Sequence, residues 1–283
     1  MPLVTSKELL LNAQKNGYAV GAFNVENMEM VQAVVAAAEE LRSPVLMQTT
    51  PGTLKYADEY YFIAMVRTAA QKASVPVAMH LDHGSSFEYA MRALRAGYTS
   101  IMIDGSKLPF EENIAISRQT AEACHFAGVP VEAELGKVGG KEDDLVVVGE
   151  SPYTDPAEAV EFVRQTGVDY LAVGIGTSHG FYKGEPKVNL NVLKQIRDVV
   201  DIPLVMHGTS GVPDEVVAKA VKLGICKVNY ATELRVAFTE GVKEVLAADP
   251  KVYDPKKYNA VGREKVKELV KIRMLNLGSA GRI

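Results

Sequence analysis

The chain has 283 residues, of which 47% are apolar and 23% charged, with a formal net charge of −4. That is enough apolar chain for a large core, and the length suits one α/β barrel of ~250 residues. The charge is spread without a basic block, which argues against nucleic acid or an anionic membrane as the main partner.

In chain order, the opening stretch MPLVTSKELLLNAQKNG has no long apolar core after a basic start and predicts no signal peptide. Eight short apolar, β-branched runs follow: AVGAFNV (19–25), SPVLMQTT (43–50), VPVAMHLDHG (75–84), SIMIDGS (100–106), VPVEAELG (129–136), YLAVGIGTSHG (170–180), IPLVMHGTSG (202–211) and CKVNYATE (226–233). Such runs, bounded by Gly, Pro or polar residues, suit parallel strands covered on both faces. Amphipathic stretches separate them, among them 27–42, 155–167 and 212–224; the second opens on Asp155-Pro156 and stops at Gly167, which are helix start and stop signals. Eight strand–helix alternations without a composition break predict a single (β/α)₈ barrel over residues 1–283, with a doubly wound open sheet as the alternative. The segment after Val242, with a final helix at 262–276, is a C-terminal helical extension beyond the eight units. No apolar run approaches the ~18 residues that span a bilayer. The two cysteines, Cys124 and Cys226, form neither a disulfide framework nor a CxxC metal site, so a reducing cytoplasm is expected.

Each run turns polar where it ends. Asn24, Thr50, Asp82, His83, Asp104, Glu134, His179, His207, Asn229 and Glu233 all fall at or near strand C-termini, the face on which barrel enzymes carry their sites. His83, His179 and His207 come from the third, sixth and seventh runs. Neutral imidazoles from separate strands can converge on one zinc ion and leave a position open for substrate; the bland alternative is three independent hydrogen-bonding histidines. Asp82, beside His83, reads either as a proton carrier or as a residue that orients a histidine. His80 lies one layer deeper on the same face and reads as support. Asp104 and Glu134 could hold a second cation or orient the ligands. HGTSG (207–211) and NYATE (229–233) end the last two strands, where barrels often bind phosphate through loop amides and a helix N-terminus. Gly208, Thr209, Ser210, Ala231 and Thr232 lie there, with Gly180 and Lys183 bordering the same sector. GIGTSHG offers G-x-G but lacks the spacing and helix of a dinucleotide site.

HLDHGSS (80–86), VEAELGKVGGKEDD (131–144), VGIGTSHGFYKGEP (173–186), LVMHGTSGVP (204–213) and KVNYATELR (227–235) occur in this order, and together they resemble the class II, metal-dependent ketose-bisphosphate aldolases. The resemblance runs from GYAVGAFNV to GSAGRI. It implies reversible aldol cleavage of fructose or tagatose 1,6-bisphosphate to dihydroxyacetone phosphate and glyceraldehyde 3-phosphate. It implies a zinc ion on His83, His179 and His207, with Asp82 acting on the C4 oxygen and Glu142 moving the C3 proton. The dihydroxyacetone-phosphate part would contact Gly180, Lys183, Gly208, Thr209, Ser210, Asn229, Tyr230, Ala231 and Thr232, with Asn24 and Thr50 as further substrate contacts. Asp104 and Glu134 match places where a displaced or second divalent ion sits in relatives, and a monovalent cation can lie near the phosphate. Some relatives carry an arginine at the position of Ala260 that reaches a neighbouring subunit's distal phosphate. Here Arg263 is the substitute, which implies a homodimer or homotetramer.

Two other classes stay in view: a related aldolase acting on another phosphorylated ketose, and a non-catalytic sugar-phosphate-binding barrel. A Schiff-base aldolase needs a lysine near a strand end, and Lys227 lies early in its strand while Lys183 lies in a loop. For the C4 epimer the motifs divide. HLDHGSS is closer to the fructose branch, whereas TTPGT, VGIGTSHG and LGICKVNYATEL are closer to the tagatose branch.

Overall fold

A computed structural model describes residues 3–142, 145–147, 153–182 and 184–283. The strands are β1 (Val20–Asn24), β2 (Val45–Thr49), β3 (Val77–Gly84), β4 (Ser100–Ile103), β5 (Val131–Leu135), β6 (Gly139–Glu142), β7 (Leu145–Val147), β8 (Tyr170–Val173), β9 (Ser178–His179), β10 (Leu204–Met206) and β11 (Ile225–Tyr230). The helices are α1 (Ser6–Asn16), α2 (Met28–Leu41), α3 (Pro51–Lys72), α4 (Phe87–Ala96), α5 (Phe110–Phe126), α6 (Pro156–Thr166), α7 (Leu190–Val199), α8 (Asp214–Lys222), α9 (Thr232–Ala248) and α10 (Pro255–Asn276). Eight strands close into a parallel barrel in the order β1-β11-β10-β8-β5-β4-β3-β2. This is the (β/α)₈ architecture expected from the alternating runs, and closure excludes the open sheet.

Local chemistry accounts for the boundaries. The Asn27 side chain accepts the Met30 N–H at 2.8 Å and starts α2. Asp155 caps α6, with Pro156 in its first turn, and Gly167 ends it in the left-handed region at φ 68°. Asp254 and Pro255 likewise start α10, seven residues ahead of the expected position 262, and this helix packs along α2 and α9.

The sixth run differs from expectation. Residues 170–180 do not form one strand: β8 ends at Val173, and Gly176, at φ 92°, turns the chain away. Ser178 and His179 then form β9, which pairs in parallel with Gly139 and Gly140 of β6 in a separate three-stranded sheet. His179 therefore reaches the barrel mouth from a strap above it.

The barrel interior is graded. Near the N-terminal end it is apolar, with Leu46, Ala78, Ala172 and Val205 packed against Leu10 and Ala13 of α1. That helix forms a floor, where the Ser6 hydroxyl meets Ser100 at 2.6 Å and Tyr170 at 3.1 Å. Toward the C-terminal end the inward residues become ionisable, and His80, Glu132, Lys227 and His207 are all fully buried. Burial of ionisable groups is costly unless they are paired. Among the described residues no helix is long and apolar enough to cross a membrane.

Candidate metal and substrate site

Asp82 and His83 are adjacent, so in a regular strand their side chains would point to opposite faces. The end of β3 breaks that rule. Its register with β4 shifts between Leu81 and Gly84, and His83 takes φ 49°, a left-handed conformation. For a residue with a Cβ this conformation stores strain of order 1–3 kcal/mol, the kind that collects at functional sites. Gly84 makes it possible, because a Cβ there would collide with the Met102 carbonyl oxygen. Both functional side chains thus face the barrel mouth.

Asp82 is 1% exposed and held from three sides. Its Oδ2 accepts from Asn24 Nδ2 at 3.0 Å and Gln48 Nε2 at 3.1 Å, and its Oδ1 accepts from Asn229 Nδ2 at 3.0 Å. Gln48 also donates to Asn24 Oδ1 at 2.7 Å, so the three amides form one cradle. Asp82 Oδ1 lies 3.9 Å from His83 Nε2.

The histidines converge. One nitrogen from each of His83, His179 and His207 lies within 4.8 Å of the others, and the rings meet edge to face. The far nitrogens of two of them are engaged by carboxylates: His83 Nδ1 by Asp104 at 2.8 Å and His207 Nε2 by Glu132 at 2.8 Å. Each carboxylate accepts, so each near nitrogen carries a lone pair, and His83 Nε2 and His207 Nδ1 face one another at 3.0 Å. Two lone pairs aimed together call for a proton or a cation between them. This donor set fits zinc, with carboxylates behind the imidazoles as in other histidine metal sites. Without metal a proton serves: burial opposes charge on His83, but Asp82, Asp104 and Glu134 together raise it well above the usual histidine range. Burial keeps His207 low and neutral.

A second group, His83, Asp104 and Glu134, also brings ligand atoms within 4.8 Å. Burial, then the charge of Asp104, pushes Glu134 up to about 8. Burial alone would raise Asp104 too, but the His83 hydrogen bond and charge and the Ser106 donors hold it below the carboxylate range.

Beside the histidines lies a narrow crevice lined by His179, Gly180, Gly208, Thr209, Ser210, Asn229, Ala231 and Thr232. Gly208, at φ 63°, passes so close to β9 that a Cβ would sit 2.7 Å from the Ser178 carbonyl carbon. Ala231 precedes α9 and offers its first turn no side-chain cap; the Glu233 N–H reaches Ser210 Oγ at 3.5 Å and the Leu234 N–H the Ala231 carbonyl at 3.1 Å, and the positive end of the helix borders the crevice, a fit for an anion. Tyr182 binds the two walls together: its hydroxyl donates to Gly208 O at 2.7 Å and accepts the Ser178 N–H at 2.8 Å.

Residues 4–282 match the family described as fructose-bisphosphate aldolase class-II. The chain belongs to that family. It is 49% identical, over all of its length and 99% of the relative's, to a fructose-bisphosphate aldolase of Geobacillus stearothermophilus. The crystal structure of the YdjI aldolase from Escherichia coli K12 shares 38% identity and a TM-score of 0.88 over 99% of both chains. The fructose-bisphosphate aldolase of Campylobacter jejuni, at 23% identity and a TM-score of 0.83 over 100% of this chain and 97% of that one, shares the fold. As a class II aldolase, the protein is a lyase acting on a sugar bisphosphate, in a family that generally depends on metal.

Not every expected aldolase residue reaches this site. Tyr230 turns outward, its ring stacked on Phe23 at 5.7 Å with the Arg273 guanidinium 5.5 Å away, because it alternates with the inward Asn229. Thr50 is 1% exposed and caps α3, accepting from Thr53 N–H at 3.3 Å. Arg263 lies exposed on α10 and donates to Gln32 at 2.8 Å, away from the site of its own chain. The Glu142 side chain and Lys183 lie outside the described residues. Gln48, Glu132 and Tyr182 were missed. For the first two, alternation along VLMQT and VEAEL was the available signal; for Tyr182 there was none beyond a loop aromatic.

In the metal-free protein Glu134 keeps its proton to about pH 8 when folded and loses it near 4.5 when unfolded. The native state holds the extra proton in that window, so this group makes stability fall as pH rises from 4.5 to 8. Urea unfolding of chelator-treated protein at the two ends of the window should therefore show a smaller decline for Glu134→Gln than for the parent. Equal declines would contradict the assignment.

Proposed function

We propose that the enzyme cleaves fructose 1,6-bisphosphate, tagatose 1,6-bisphosphate or both, reversibly, to dihydroxyacetone phosphate and glyceraldehyde 3-phosphate, with zinc on His83, His179 and His207. The observation that carries the reading is the Asp82 carboxylate, cradled by three amides and turned to the same face as His83. A pure sugar-phosphate binder has no use for a proton carrier in that place. Lys227 is tied to Glu132 below the histidines at 2.8 Å, which argues against a Schiff base on that residue.

The substrate's ketone-side phosphate would sit in the crevice, against the loop N–H groups of Gly180 and Gly208 to Ser210 and the start of α9, with Lys183 as a further contact. Bound zinc would supply a Lewis acid that polarises the ketone carbonyl and offsets the charge developing there. Holding the phosphate and the ketone end together lowers the entropic part of the barrier. Asp82 takes the C4 hydroxyl proton in cleavage and returns it in condensation. Glu142, the last residue of the strand that pairs with β9, moves the proton at C3. Asp104 and Glu134 offer a place for a displaced or second divalent ion, and a monovalent cation would sit by the phosphate. Arg263, remote from its own site, would serve a neighbouring subunit in a homodimer or homotetramer. A cytoplasmic setting suits the two buried free thiols.

Asp82→Asn should keep its metal, measured by atomic absorption, and lose roughly 10²–10⁴-fold in kcat, the scale of a positioned acid/base. Metal content falling in step with activity would make Asp82 a structural residue instead.

The two epimers differ only at the C4 hydroxyl, and Asp82 must reach it in either. Both should be cleaved, with kcat/KM within roughly 10²-fold, about 3 kcal/mol of transition-state binding, and tagatose slightly ahead on the motifs facing the substrate. A preference above roughly 10³-fold for either pure epimer would show a dedicated C4 contact and refute a shared site.

A further inference from the structure

Beneath the histidines the barrel holds a polar stack that the aldol chemistry does not touch. Glu132, Lys227 and His80 are each 0% exposed. Lys227 Nζ donates to Glu132 Oε2 at 2.8 Å and lies 3.4 Å from His80 Nε2. His80 Nδ1 meets the Ser100 hydroxyl at 2.7 Å, and Ser100 meets Ser6 of the floor helix at 2.6 Å. The ammonium is thus anchored from below. Glu132 Oε1, its other oxygen, faces His207 Nε2 at 2.8 Å.

A buried ion pair is weak evidence for stability, since apolar residues of similar volume often serve a core as well. Its place under a metal-candidate histidine points to another role. An ammonium only donates and an ionised carboxylate only accepts, so both oxygens of Glu132 are acceptors and the His207 proton must sit on Nε2. That leaves the lone pair on Nδ1, the nitrogen 3.0 Å from His83 Nε2.

We propose that Glu132 and Lys227 form a paired positioning unit that fixes His207 in its Nε2–H tautomer and so aims Nδ1 at the metal. Lys227 sets the polarity of the unit. An amide in place of the carboxylate would give its carbonyl to the ammonium and turn its NH₂ toward His207. Nε2 would then have to accept, and the proton would move to Nδ1, where it blocks the metal. Asn229 Nδ2, 3.2 Å from the same Nε2, adds a second donor on that side while Lys227 holds the amide in this orientation.

This inference rests on the reading of the three histidines as metal ligands. Its test has two arms: ¹⁵N NMR of the histidine tautomers in chelator-treated protein, and zinc affinity by chelator competition. The parent should show His207 as Nε2–H. Glu132→Gln should show Nδ1–H and bind zinc roughly 10–100-fold more weakly. Adding Lys227→Met frees the amide to turn over, so the double variant should return to Nε2–H and recover most of the affinity. A merely structural pair would leave the tautomer of Glu132→Gln unchanged, and that result overturns the proposal, as does Nδ1–H in the parent. If Glu132→Gln does not fold, the double variant, whose pair is neutral, decides: Nδ1–H there overturns the proposal and Nε2–H supports it. A parent that binds no zinc would sink the ligand reading alone, because the tautomer arm needs no metal.

Discussion

Two carboxylates, one of them fully buried, set the geometry on which the site depends. Asp104 and Glu132 each hold the far nitrogen of a histidine at 2.8 Å and leave the near nitrogens of His83 and His207 facing at 3.0 Å. In a low-dielectric interior such lone pairs repel unless a positive charge lies between them. The rest of the barrel mouth is arranged around that demand. His179 completes the set from its strap, and Glu134 Oε2 stands 3.4 Å from His207 Nδ1, near the same point.

The strained end of β3 links this electrostatic arrangement to chemistry. Left-handed His83, next to Gly84, puts a metal-candidate ligand and a cradled carboxylate on one face of one strand. A regular strand would deliver one or the other. The phosphate crevice sits on the opposite flank, and Tyr182 ties its wall to the strap carrying His179. Anion binding and ligand placement are therefore mechanically connected, through side chains that need not touch the reacting atoms.

Much of this was legible in the sequence, for physical reasons. Continuous apolar runs mark strands covered on both faces, and polar residues at their C-terminal ends mark the mouth, so the eight strands and Asp82, His83 and His207 stand where the pattern places them. What periodicity could not show were departures from regular strands. The Gly174-Ile175-Gly176 break that sends His179 onto β9 lies inside a stretch whose apolar pattern is that of one run, although its glycines are a clue. Nothing in the residues announces that His83 is left-handed. Thr50 followed by Pro51 is a helix-start signal that outweighs a substrate role for its hydroxyl. The family motif takes Tyr230 together with Asn229, whereas strand alternation sends the two side chains to opposite faces.

The account stands on metal-dependent aldol chemistry without a covalent lysine intermediate. The most direct measurement is cleavage of the ketose bisphosphates by chelator-treated protein, before and after zinc is added back, with a parallel sample given substrate and borohydride. The account predicts that activity leaves with the metal and returns with it, and that borohydride traps nothing on the protein. Undiminished cleavage by the metal-free protein, or substrate reduced onto a lysine, would contradict it.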